Sequence, residues 1–195
     1  VTGVQTCALP ISKMNNYLDA IRAYKAQAGP DALAVFMDAF DCLCIKGAQE
    51  TVQAYTSKAR RMPILFGAEI CCFDNCDKGT LAWYDHHKLL GGSAAVKANL
   101  KEMQPGNPDF LKSPTPVFPN SGLIMGPASD LEILFSAMLA TGNPDDQLAA
   151  GQFIREHLDL VDYDIEEAIF RNKIEPRDKL QDEGTPQGPT FLHYP

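Results

Sequence analysis

Apolar residues recur three and four apart at Met14, Tyr17, Leu18, Ile21 and Tyr24, the stripe of an amphipathic helix over residues 13–27 that Gly29-Pro30 ends. An unbroken apolar run follows, Ala32-Leu33-Ala34-Val35-Phe36-Met37, which predicts a strand covered on both faces, as in a parallel sheet. Residues 48–61 read as a second helix, and Pro63 precedes another short apolar run, Ile64-Leu65-Phe66. Strand, crossover helix and strand form a βαβ unit, so the pattern predicts an α/β domain whose sheet is mostly parallel and flanked by helices. Residues 71–119 are punctuated by Gly and Pro and predict loops with one helix near 93–103. Ser129-Asp130-Leu131-Glu132 has the spacing of a capping box, and Leu131, Leu134, Phe135, Met138 and Leu139 continue it as a helical stripe. Asn143-Pro144-Asp145-Asp146 opens a further helix, through about residue 157, with acids at its positive end.

Composition narrows the class. The chain has 195 residues, 45% of them hydrophobic and 22% charged, enough for one packed domain and unlike a disordered chain. A net charge of -8 without a basic run argues against a nucleic-acid backbone as partner. No stretch is long and apolar enough to predict a transmembrane helix. Residues 1–11 resemble a translated sequencing-adapter leader and are set apart from the fold, which leaves residues 12–195 as a partial domain cut at both ends.

The chemistry concentrates first at Asp38-Ala39-Phe40-Asp41, directly after the apolar run. Residues three apart on an extended strand face opposite ways, so Asp38 and Asp41 converge only if the chain turns between them. Two carboxylates at the carboxyl end of such a strand sit where open α/β sheets bind ligands, and their hard oxygens suit Mg²⁺ or Mn²⁺. The alternative is a polar strand end with one capping and one solvated acid.

Further segments follow in order: Phe66-Gly67-Ala68-Glu69 before Cys71-Cys72-Phe73, Phe118-Pro119-Asn120-Ser121-Gly122, Asp145-Asp146-Gln147, Asp164 before Ile169-Phe170-Arg171-Asn172, and His193 after an apolar run. This ordered set resembles the glycosyltransferase domain of the collagen lysyl hydroxylases and, more distantly, the procollagen galactosyltransferases. Those domains carry Asp-x-x-Asp, Ser-Ala-Glu, Asn-Ser-Gly, Asp-Asp-Gln, Ile-Phe-Gln-Asn and a late metal-binding His in the same sequence.

The resemblance covers residues 13–195 and implies a GT-A-like, Rossmann-like fold. It also implies a metal-dependent transferase that moves glucose or galactose from a UDP-sugar to hydroxylysine or galactosyl-hydroxylysine of a collagen-like protein. By the same resemblance Asp38, Asp41 and His193 bind Mn²⁺ (or Mg²⁺), and Phe40 stacks on the uracil where the family has Tyr. Asn120, Ser121 and Gly122 line the donor sugar, and Asp145 and Asp146 lie near the sugar or acceptor hydroxyl. The family also implies the lumen of the secretory pathway and a homodimer in the intact protein. The chain departs from the family at Phe73 and Asp74, where the family has Trp and Pro.

Three other readings stay open at this point. The domain could be a non-catalytic module that supports a neighbouring hydroxylase domain, or a metal-dependent phosphohydrolase. Cys72, Cys76 and one of His86 or His87 could instead hold zinc, although no paired Cys-x2-Cys modules are present. The five cysteines after Cys7 allow disulfides in an oxidising compartment, with at least one thiol left over.

Overall fold

The computed structural model describes residues 10–38, 42–58, 62–69, 77–89, 92–102, 118–172 and 189–193. The described elements are α1 (Pro10–Ala28), β1 (Leu33–Met37), β2 (Cys42–Cys44), α2 (Ala48–Lys58), β3 (Ile64–Glu69), α3 (Asp77–His87) and α4 (Gly92–Glu102). They continue with β4 (Phe118–Pro127), α5 (Ala128–Ala140), α6 (Asp146–Glu156), β5 (Val161–Asp164), β6 (Phe170–Asn172) and β7 (Phe191–His193). Pro10 and Ile11, placed by the sequence in the leader, are thus the first described turn of α1.

The main sheet has four strands in the order β1-β4-β3-β5. β4 runs antiparallel to both β1 and β3, whereas β3 and β5 are parallel. The sheet is therefore mixed, which corrects the expectation of a mostly parallel one. β1 and β3 do share a direction, as a βαβ unit requires, but β4 lies between them. A smaller sheet, β2-β7-β6, pairs β2 antiparallel and β6 parallel to β7.

The apolar run of β1 reports cover rather than strand direction. Ala34 and Phe36 pack into the larger core with Tyr17 of α1 and Phe135 of α5, while Leu33 and Val35 pack into a second cluster with Tyr55, Leu123, Phe170 and Phe191. Alternate residues of β3 divide in the same way, with Ile64 and Phe66 on one face and Leu65 on the other. Residues from α1, α3, α4, α5 and α6 fill one face of the sheet, and residues from α2, β6 and β7 fill the other. Among the described residues no helix is long and apolar enough to cross a membrane.

Two local expectations change. α3 occupies part of the segment read as loop; its Gly79 looks like a breaker but lies against α6, where an added Cβ would overlap the carbonyl oxygen of Gly151. The Ser129 capping box is not used. α5 has Pro127 at its N-cap with no side-chain cap, and its first amides are taken by the turn before β1: Ala128 N–H donates to Ala32 O (2.9 Å) and Ser129 N–H to Pro30 O (3.0 Å). Glu132 is thereby released to pair with Arg22 and Lys25 of α1.

Candidate functional site

Strand direction decides where the polar residues gather. The carboxyl ends of β1, β3 and β5 lie at one rim, and antiparallel β4 brings its first residues to that same rim. Asp38 follows β1 there, Glu69 ends β3, Asp164 ends β5, and Asn120, Ser121 and Gly122 stand near the start of β4. β4 breaks register at this point: Phe66 pairs with Ile124, but the next residue, Gly67, pairs with Asn120. Ser121, Gly122 and Leu123 therefore form an irregularity that turns backbone groups away from β3, a device often found beside ligand sites. Asn120-Ser121-Gly122 is bulged strand.

Gly122 makes room for Asp38. The Asp38 N–H donates to Gly122 O at 2.9 Å, and the Asp38 carboxylate folds over Gly122 so closely that an added Cβ would overlap it. Opposite, α6 presents its first turn. Asp145 is the N-cap, its Oδ1 accepting from Leu148 N–H at 3.0 Å, and it is itself set by Asn143 Oδ1, which accepts the Asp145 N–H at 3.0 Å. Asp146 instead reaches across the rim. The structure thus separates the two acids that the sequence treats alike: Asp145 holds the helix start and Asp146 faces Asp38.

Lys13 of α1 joins them. Its Nζ lies 2.6 Å from Asp38 Oδ1 and 2.7 Å from Asp146 Oδ2, and 5.7 Å above the centre of the Tyr17 ring. Burial works against the ammonium, but Tyr17, Asp146 and Asp38 outweigh it and hold the Lys13 pKa above the ordinary lysine range. Tyr17 is likewise held above the usual phenol range, first by burial. Sequence reasoning gave Lys13 no role, yet a signal existed: it lies one turn before Tyr17 and two before Ile21, on the inward stripe of the helix.

Beside this ionic trio is a network dominated by side-chain amides. Gln147 Oε1 accepts from the Ser121 N–H at 2.8 Å, and its Nε2 donates to Glu69 Oε1 at 3.1 Å and to Pro119 O. Asn120 Nδ2 donates to Glu69 Oε2 at 3.0 Å and to Asn172 Oδ1 at 3.2 Å, while Asn120 Oδ1 accepts the Gly122 N–H at 2.7 Å. Asn172 Nδ2 closes the loop on Ala68 O at 2.6 Å. Burial pushes Glu69 up to about 8, against the Asn120 hydrogen bond that favours its charged form. Glu69, Gln147 and Asn172 all lie in segments that carry the resemblance, yet none of the three was expected to have a role.

Asp164 is fully buried and shapes the turn that delivers Asn172. Its Oδ1 accepts from Ala168 N–H at 3.0 Å, and its Oδ2 from Ile169 and Phe170 N–H at 2.6 and 2.8 Å.

Of the expected metal ligands, Asp38 is described, Asp41 lies outside the described residues, and only the backbone of His193 is described. That backbone pairs with Cys42 and Asn172, so β7 carries residue 193 beside the strand that supplies Asn172. Phe40, also expected at the donor, lies outside the described residues, as do Cys72 and Cys76. His86 is engaged by Asp159 Oδ1 at 2.8 Å and His87 by Leu158 O at 2.9 Å. In kind, the oxygens of Asp38 and Asp146 fit a hard divalent cation. Among the described residues no group of three or more His, Cys, Asp or Glu is placed to hold a metal ion. The chain matches no protein-family model and no curated protein.

Proposed function

We propose that this chain is a metal-dependent glycosyltransferase domain that moves glucose or galactose from a UDP-sugar to hydroxylysine or galactosyl-hydroxylysine of a collagen-like protein. The observation that supports this reading is the convergence of Asp38, Asn120, Ser121, Gly122 and Asp146. These residues come from three separate segments and meet at the carboxyl-end rim, in a chain whose motifs follow the family's order.

In this reading Asp38, with Asp41 and His193, would hold Mn²⁺, which would supply positive charge for a leaving diphosphate. The chain's own groups do the rest. The bulge at Ser121-Gly122 and the Asn120 amide line the donor sugar and fix its orientation. Asp146, kept in place by Lys13, lies at the side from which an acceptor hydroxyl approaches and takes up its proton or stabilises it electrostatically. Transfer of labelled sugar from UDP-glucose or UDP-galactose to a galactosyl-hydroxylysine or hydroxylysine peptide tests the reading. Mn²⁺-dependent transfer that falls at least about 100-fold in Asp146→Asn is the expected result, the scale of losing a catalytic proton acceptor.

One observation favours the second reading, a non-catalytic module. Lys13 pairs both carboxylates, as a purely structural ion pair would. A protein that binds no UDP-sugar with Mn²⁺ present, yet folds stably, supports the module instead.

A further inference from the structure

Lys13 occupies an unusual position for a lysine. Its side chain is only 16% exposed, it points along the inward stripe of α1, and it ties together three elements: its own helix, the end of β1 through Asp38, and the first turn of α6 through Asp146. The two carboxylate oxygens lie no further apart than the sum of their distances to Nζ, so a single positive charge serves both. One ammonium against two carboxylates still leaves the trio with one negative charge. A divalent cation added to it makes the trio net positive, the sign that a diphosphate requires.

We propose that Lys13 is a built-in counter-ion that competes with a divalent cation for Asp38. The cation displaces the ammonium from that carboxylate, and Lys13, retained by Asp146, becomes a second positive contact for the donor diphosphate. The proposal rests on the metal-dependent reading above. Its physical basis is that two cations cannot share one carboxylate oxygen in a half-buried site without mutual repulsion. Lys13 is thus a positioning residue that makes the site positive only when the divalent ion is present, so anion and metal are taken up together. An ammonium on a flexible stem suits this task, because it moves between partners as a point charge.

Calorimetric titration with Mn²⁺ alone tests the competition, using the wild type, Lys13→Met, Lys13→Arg and Asp38→Asn, each checked for folding by circular dichroism. Lys13→Met should bind Mn²⁺ about tenfold more tightly than the wild type, Lys13→Arg should stay within about twofold of it, and Asp38→Asn should lose the site. A second measurement needs no variant: the side-chain ¹⁵Nζ resonance of Lys13 in the wild type, followed during titration with diamagnetic Mg²⁺, should shift in step with cation binding. Mn²⁺ binding that depends on Asp38 but is unchanged in Lys13→Met, or a Lys13 resonance unmoved at Mg²⁺ saturation, overturns the proposal and leaves the metal reading standing. Absence of Mn²⁺ binding in every protein overturns both.

Discussion

The two halves of the rim satisfy their carboxylates by opposite means. On the α1 side, Asp38 and Asp146 meet a full positive charge from Lys13. On the β6 side, among the described residues, Glu69 meets amide donors, from Asn120 and Gln147, while the Asn172 amide completes their network. The difference shows in Glu69, which burial pushes up to about 8 because two hydrogen bonds do not replace the water and counter-charge it has lost. An ionic half can exchange its counter-ion for another cation. An amide half cannot; in the proposed reading it would be the fixed floor against which the donor sugar is oriented.

The largest expected effect lies beneath the amide half. Asp164→Ala removes a fully buried acceptor for three backbone amides, and should cost about 3 kcal/mol or more of folding stability in urea unfolding. A loss under about 1 kcal/mol would mean that the turn delivering Asn172 is held by other contacts, and the floor is less fixed than described.

The next test separates the halves by pH. Because Glu69 is raised in the folded state, the folded protein holds a proton that the unfolded chain releases. Its stabilising contribution is therefore complete below the ordinary carboxyl range and is lost as pH rises to about 8. The slope in that window is at most about 1.4 kcal/mol per pH unit. Urea unfolding between pH 5 and 8.5 should show this decline in the wild type and a flatter profile in Glu69→Gln. Equal profiles would place the proton elsewhere.

The smallest effect calibrates the ionic half. Glu132 pairs with Arg22 and Lys25 at the α1–α5 surface, the same chemistry as the Lys13 trio but far more open to water. Glu132→Ala should cost only about 0.2–1 kcal/mol, less at high salt, in the same unfolding assay.

Much of this was legible in the sequence, for physical reasons that differ by element. The stripes of α1, α5 and the start of α6 are visible because one helix face must be apolar to pack. The Asp145 cap is visible because a short acid before a helix has few better uses. α3 was hidden by Gly79, a residue that usually interrupts helices and here permits close approach to Gly151. Sheet direction was hidden because the run from Ala32 to Met37 records two covered faces and nothing about the neighbouring strand. The capping box misled because its amides found backbone acceptors near Pro30, a long-range partner no local window contains. At the rim, Asp38 and Asp146 were legible as acids following a strand and opening a helix. Their connection through Lys13 was not, since it depends on three elements meeting in space.

The central claim is that this rim binds a nucleotide diphosphate through a divalent cation held at Asp38. Calorimetry of UDP-glucose and UDP-galactose binding, with and without Mn²⁺, tests it most directly when run on the wild type and on Asp38→Ala plus Asp41→Ala. The account predicts binding that requires Mn²⁺ and falls at least about 100-fold in the double variant, roughly 2.7 kcal/mol. Binding of equal strength without Mn²⁺, or unchanged in the double variant, would contradict it.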